Sequence, residues 1–341
     1  MGYPIGSDLV PVLKQSEIEQ VVLALLAGAG VPRDQSRLQC DLLVDAEMRG
    51  LPSHGLLRLP RIIERIANGV TDPNARGDCD WVSPAFLRVD GKRGLGPVVA
   101  LNALDAAMPR AREMGTAVVS IANSNHIGSL GFYAECVANA GQSVIAFSTS
   151  EALVHPWGGR RALIGTNPIA IGVPGAPEPF VMDTATSVVS MGKIHDHAAR
   201  GEAIPAGWAL DADGVVTEDA ERAKQGAIAP VGGAKGYALG LAFELLVSGL
   251  AGASIGRDVK GTLDSTEVAN KADLFILIDQ PLAAFDAYLD ELRNSPPADG
   301  FSGVRIPGER GRALRAERRQ GGVPVDEGLW AQLLRLQQEV V

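Results

Sequence analysis

Ala117-Val118-Val119-Ser120-Ile121-Ala122, followed at once by Asn123-Ser124-Asn125-His126-Ile127-Gly128, is the stretch on which the fold turns. The first six residues are small or β-branched, the composition of a buried strand. The next six are polar and close on glycine, and residues 130–141 beyond them have helical spacing. A strand that runs through a polar loop into a helix is the building unit of an α/β sheet. The loop then lies at the sheet rim, where ligands bind in such folds. The chain has five histidines in 341 residues, so an imidazole at that rim is informative. It is the side chain best matched to moving a proton near neutral pH. The pattern points to an enzyme.

C-terminal to this stretch, residues 144–148, 170–173, 180–183 and 274–279 are short apolar runs bounded by Gly, Pro or Asp, and they read as strands. N-terminal to it, residues 16–115 read as mostly helical. Ser16 and Glu19 form a capping-box pattern ahead of Val21, Val22, Leu25 and Leu26. A second helix is expected from Asp34 to Met48, ending at Gly50. A third follows Gly55 with Leu56, Leu59, Ile62, Ile63 and Ile66 on one face, and a fourth covers 98–114. Residues 236–252 are the most hydrophobic stretch. Glu244 and Ser248 interrupt it, so it reads as a buried helix rather than a membrane span. A last helix after Pro324 has Asp326 as its cap and turns Leu329, Leu333 and Leu336 inward. The expected plan is α/β in three parts: a helical N-terminal region over 1–115 on the substrate and dimer side, a sheet domain over 116–290, and a C-terminal helical region over 291–341 that packs back on the N-terminal part.

Composition narrows the class. Hydrophobic residues make up 46% and charged residues 21%, near globular averages, and the net charge of −9 argues against a nucleic-acid binder. The arginines between Arg305 and Arg319 are interrupted by Glu309 and Glu317 and read as a solvated tail. Cys40, Cys79 and Cys136 share no metal-ligand spacing and read as reduced, mostly buried thiols of a cytosolic protein. No basic segment leads into an apolar run at the N-terminus, so the expectation is a soluble cytoplasmic protein without a membrane partner. His195 and His197 would share one side of a strand, but no acidic cluster joins them apart from Asp196. A metal site is not expected there.

Four further motifs carry chemistry. Ser53-His54-Gly55 precedes a helix with Arg58 one turn beyond His54, an arrangement able to seat an anion beside a proton donor. A surface histidine after a Ser N-cap fits the same residues. Gly165-Thr166-Asn167-Pro168 is a rigid turn whose donors suit phosphate or ribose oxygens, or simply a turn. Asp183-Thr184-Ala185-Thr186-Ser187 ends a strand with an acid and hydroxyls that can orient an imidazole, bind a cofactor amide or cap a helix. Gly232-Gly233-Ala234-Lys235-Gly236 opens a helix with exposed amides and a lysine, a pyrophosphate site or a glycine-rich turn. Neither G-x-G-x-x-G nor G-x-x-x-x-G-K-[ST] occurs, so a Rossmann domain has no support from its fingerprint.

In this order, these motifs resemble the malate/L-lactate dehydrogenase family that lacks a Rossmann domain, which includes sulfolactate and ureidoglycolate dehydrogenases and Δ1-piperideine-2-carboxylate reductases. The resemblance spans nearly the whole chain. It implies a three-layer, mixed-sheet α/β fold and an NAD(P)-dependent oxidoreductase acting on a small anionic 2-hydroxy or 2-oxo acid as a homodimer. It implies His126 as acid/base, His54 with Ser53 as a second active-site pair, Asp183 as the acid completing a relay, and Arg58 on the substrate carboxylate, with Thr166 beside it. For the cofactor it points to Ser148, Ser150, Gly165, Asn167, Pro168, Thr184, Thr186, Lys193, Gly233, Lys235, Gly236, Pro307, Gly308 and Glu309. Arg160 and Arg161 suit a 2′-phosphate and lean the cofactor toward NADP, although a salt-bridged surface pair explains them almost as well. Malate or sulfolactate is the expected substrate type. A cyclic-imine reductase and a catalytically silent dinucleotide-binding protein are the rivals. Asn125-His126 resembles the hydroxy-acid members rather than the imine reductases.

Overall fold

The computed structural model describes residues 11–340. A seven-stranded mixed sheet forms the centre, in the spatial order Asp78–Ser83, Phe86–Asp90, Thr116–Ala122, Ala272–Ile278, Ser143–Ser148, Ile169–Val173, Phe180–Thr184. One pairing is parallel, Phe86–Asp90 with Thr116–Ala122, and the other five are antiparallel. The latest strand in sequence thus sits in the middle, with Asp273 opposite Ile121 on one side and Ser148 on the other.

Strand alternation builds three layers. Phe275 and Leu277 face one way, into a core with Val119, Tyr133, Val144 and the alanines of helices Gly96–Met114 and Leu130–Asn139. Leu274 and Ala272 face the other way, onto Phe147 and Val247 of helix Ala234–Ala251. A separate helical core joins Gln15–Gly28 and Arg33–Met48 to the last helix, Glu327–Val340, through Ile18, Leu25, Leu43 and Leu333. Burying each such side chain contributes about 1.5–3 kcal/mol. Asp326 caps that last helix through the Leu329 N–H at 2.8 Å. Residues 150–230 add a small three-stranded sheet with its own core around Val154, Ile194 and Ile228.

Several expectations change. Strands Asp78–Ser83 and Phe86–Asp90 lie in the stretch read as helical. The first helix begins at Gln15, where the Glu17 carboxylate accepts the Lys14 N–H at 2.6 Å, two residues before the Ser16/Glu19 pattern. His195 and His197 lie on helix Met191–Ala199, where a spacing of two separates their directions. The arginine-rich tail forms helix Glu309–Gly321 and docks: Arg315 pairs with Asp45 at 3.1 Å and Glu135 at 3.4 Å, and Arg312 donates to the Pro179 carbonyl at 3.1 Å. Cys40 is buried, but Cys79 and Cys136 reach the surface. Helix Ala234–Ala251 is the one helix among the described residues long and apolar enough to cross a membrane. It is not buried: one face covers the sheet, and Leu239, Leu245, Leu246 and Leu250 stand exposed on the other.

Candidate active site

Two short turns, Pro52–His54 and Leu56–Arg58, lead into helix Leu59–Ala67 and form one wall of a pocket. The Ser53 hydroxyl lies 3.0 Å from Nδ1 of His54. Arg58 donates from Nε to the Ser53 carbonyl at 2.7 Å and from Nη1 to the Thr262 carbonyl at 3.4 Å. The opposite wall is the loop after strand Thr116–Ala122. Its anchor is Asn125, which is buried and fully used. Nδ2 donates to the carbonyls of Arg93 (2.7 Å) and Gly94 (2.9 Å), and Oδ1 accepts from Arg65 Nε (3.1 Å) and Thr71 Oγ1 (2.9 Å). Gly96 lets the next helix start against this loop, since a Cβ there would stand 2.3 Å from the His126 carbonyl oxygen.

So held, His126 faces His54 with ring centroids 5.7 Å apart. The Gly128 N–H donates to Nδ1 of His126 at 3.1 Å, which leaves the proton of the neutral ring on Nε2. Burial, reinforced by Arg58, pushes the His54 pKa down to about 4. Burial also holds His126 well below its ordinary value, with Arg58 and His54 adding to the effect. Both rings are therefore neutral at pH 7, and the pocket's positive charge resides on arginines. Leu42, Leu43 and Leu95 close the apolar side of the pocket.

Asp183 is engaged at the start of the helix that follows the His126 loop. Its carboxylate accepts from Gly131 N–H (2.7 Å) and Ser129 Oγ (2.9 Å), capping helix Leu130–Asn139, and among the described residues neither histidine bonds to it. Crowding raises its pKa, and those two bonds oppose the rise.

The residues expected at the cofactor divide into two groups. Ser148 donates to Asp273 at 2.7 Å, beside the buried Lys271–Asp273 ion pair. Asn167, wholly buried, donates to Gly240 O (3.0 Å) and to Glu244 (2.6 Å), and Thr186 donates to Thr166 O at 2.9 Å. These three side chains have partners inside the protein and hold its turns. Ser150 and Thr166 pair hydroxyl to hydroxyl at 3.1 Å next to Gly165 and Pro168. Glu309 accepts from Arg293 Nε (2.7 Å) and Ile306 N–H (3.0 Å), which fixes the Pro307-Gly308-Glu309 turn against Val181.

By contrast, Thr184, Lys193 and Lys235 are exposed. Gly232 and Gly233, at φ +60° and +65°, turn the chain so that helix Ala234–Ala251 opens with unspent amides. A Cβ on Gly236 would stand 1.8 Å from the Val231 carbonyl oxygen. This donor set, amides at a helix start beside a lysine, fits the diphosphate of a dinucleotide.

Several polar pocket residues went unread in the sequence, Gln39, Arg61, Arg65, Thr71 and Thr262 among them. Arg61 and Arg65 extend the Arg58 stripe at helical spacing, so their signal was present. Thr71 and Thr262 arrive from loops, Thr262 from 204 positions away, and leave no local signal.

A profile of the malate/L-lactate dehydrogenase family matches residues 13–334. The chain belongs to the malate/L-lactate dehydrogenase family. It is similar to L-sulfolactate dehydrogenase of Methanocaldococcus jannaschii, with 36% identity over 337 residues covering 96% of this chain and 97% of that one. It is also similar to (2R)-3-sulfolactate dehydrogenase (NADP(+)) of Chromohalobacter salexigens, at 38% identity over 306 residues, covering 89% and 91%. Among solved structures, a dehydrogenase from Sinorhizobium meliloti superposes with a TM-score of 0.92 at 51% identity, covering 96% of this chain and 98% of its own. As a member of this family the chain is an NAD(P)-dependent oxidoreductase of the hydroxy-acid type, with the mixed-sheet fold described above.

Proposed function

We propose that the pocket interconverts a 2-hydroxy acid and its 2-oxo acid, of malate or sulfolactate type. The observation that carries this reading is that two neutral imidazoles and Arg58 converge on one cavity. Arg58 grips the C1 carboxylate and so aims the C2 oxygen at the imidazoles. When bound, the nicotinamide supplies or accepts the hydride at C2. His126 offers Nε2–H to the oxygen on which charge develops. His54, whose Nδ1 meets a rotatable Ser53 hydroxyl, tolerates either protonation state and carries the exchangeable proton. A substrate anion arriving between them raises both pKa values toward neutrality. Asp183 acts at a distance, by fixing the helix start behind the His126 loop.

The turn at Gly232 and Gly233, with Lys235 and Gly236, would hold the diphosphate. Thr184, Lys193 and the Pro307-Gly308-Glu309 turn border the rest of the dinucleotide, with Ser150, Thr166, Gly165 and Pro168 shaping its floor. Exposed Arg160 and Arg161 support NADP over NAD, as does the cofactor named for the Chromohalobacter relative. The bare leucine face of helix Ala234–Ala251 supports a homodimer. Three free thiols support a cytoplasmic setting.

The test is NADPH and NADH oxidation against oxaloacetate, sulfopyruvate, pyruvate and Δ1-piperideine-2-carboxylate in parallel. An oxo-acid rate at least tenfold above the imine rate is expected. The inverse ratio would assign the pocket to imine reduction, and stoichiometric NADPH binding without turnover would make it a silent binder.

A further inference from the structure

The pocket holds more positive charge than one carboxylate needs. Arg58, Arg61 and Arg65 recur at intervals of three and four residues, so they share a face of helix Leu59–Ala67 and its entry turn, and all three line the cavity with the imidazoles. Among the described residues, no Asp or Glu lines it. The two acids that act on these guanidiniums are engaged by backbone. Glu151 accepts the N–H groups of Thr262 and Leu263, both at 2.8 Å, and Asp264 accepts those of Gly261, Thr266 and Glu267.

Each arginine has a different surplus. Arg58 is tied to the Ser53 and Thr262 carbonyls and stands nearest in sequence to His54. Arg61 makes no ion pair or side-chain hydrogen bond among the described residues, although it is half-buried. Arg65 is 5% exposed; Nε holds Asn125 and Nη1 holds the Asp264 carbonyl, but Nη2 is buried without a partner. A charged donor left unpaired in a buried place is costly, and an anion beside it removes the cost. Arg58 and Arg61 are about 4.5 Å apart along the helix axis, at about 1.5 Å per residue. That offset suits the two ends of a short acid.

Building on the hydroxy-acid reading, we infer that Arg61, backed by Arg65, binds a second anionic group at the far end of the substrate. The pocket thereby selects 2-oxo and 2-hydroxy acids bearing a distal carboxylate or sulfonate over monoanionic ones. Arg65 is a positioning residue as well, because the bond that fixes it also fixes Asn125, one residue before His126.

The experiment compares wild type, Arg61→Gln and Arg61→Lys on oxaloacetate, sulfopyruvate and pyruvate, with circular dichroism to verify folding. Wild type is expected to favour the two dianions over pyruvate at least tenfold in kcat/KM. Arg61→Gln should raise KM for both dianions at least tenfold more than it raises KM for pyruvate. Arg61→Lys should recover part of that loss, because an ammonium keeps the charge but not the bidentate fork. If the Gln variant does not fold, the Lys variant alone must show a selective rise in KM for the dianions of at least threefold. Equal losses on pyruvate and oxaloacetate, or a wild type that prefers pyruvate, would overturn the assignment of Arg61 while leaving hydroxy-acid chemistry intact. Reduction of Δ1-piperideine-2-carboxylate alone would remove both.

Discussion

The wall carrying Ser53, His54, Arg58, Arg61 and Arg65 offers a ligand side chains, whereas the turn at Gly232 and Gly233 offers main-chain amides. In the first region, ionisable groups are buried with bonding capacity left over, as the unpartnered Arg65 Nη2 shows. In the second, the polar side chains nearby are consumed internally: Asn167 and Glu244 bond each other, and Glu244 also accepts the Gly165 and Gly256 N–H groups. One region stores unmet electrostatic demand, and the other stores shape. Substitutions should therefore act on turnover and substrate affinity in the first region, and on folding in the second.

The largest effect expected is at His126. His126→Ala should lower kcat by about 10²- to 10³-fold, the range for loss of a donor to a developing oxyanion, with the NADPH Kd changed less than threefold by fluorescence titration. A loss of cofactor affinity with kcat intact would erase the division between the regions. Next is Arg58→Ala, which should raise KM for the carboxylate substrate about 100-fold, the scale of a charge-assisted bidentate contact. An unchanged KM would mean that the clamp lies elsewhere on the arginine stripe.

On the other side, Glu244→Gln replaces an acceptor with a donor that confronts the Asn167 amide or the backbone N–H groups of Gly165 and Gly256. A loss of about 2–3 kcal/mol in urea unfolding is expected, with KM for the oxo acid within threefold in the folded fraction. A selective rise in KM would show that Glu244 belongs to the pocket. The smallest effect concerns pH. Both imidazoles have folded pKa values below their unfolded ones, so the unfolded chain binds more protons as pH falls. Their contribution to stability is complete above about pH 6.5 and, for His54, is lost as pH falls toward about 4. His54→Gln should remove up to one proton from the slope of unfolding free energy against pH in that window. An unchanged slope would mean that His54 titrates alike in both states.

Legibility in the sequence followed the same division. Side-chain chemistry at local spacing could be read: Ser53, His54 and Arg58 fall on one wall, and His126 lies at the sheet rim. The strands of the central sheet from residue 116 onward were legible as short, largely apolar runs bounded by Gly, Pro or Asp. What could not be read was which polar side chains would be spent. Asp183 and Ser148 have the composition of ligand contacts, yet one caps a helix 52 residues earlier in the chain and the other serves Asp273, 125 residues later. Strand Asp78–Ser83 was missed because it is largely exposed at the sheet edge and lacks the apolar alternation that marks a core strand, whereas Phe86–Asp90 carries that alternation in Leu87-Arg88-Val89 over too short a run to stand out. The docked arginines of Glu309–Gly321 depend on Asp45 and Glu135, which no local window contains.

Strand Ala272–Ile278 has a consequence for biosynthesis. It is the seam of the sheet, pairing Thr116–Ala122 on one edge and Ser143–Ser148 on the other. Until it emerges from the ribosome, the nascent chain holds two half-sheets, each with an open edge facing the gap. Exposed edges of that kind recruit foreign strands. About 270 residues must thus be made before the sheet can be zipped, and closure over so long a loop is slow. Chains truncated before Ala272 should aggregate, and the free peptide of that one strand, supplied in trans, is the natural agent to rescue them.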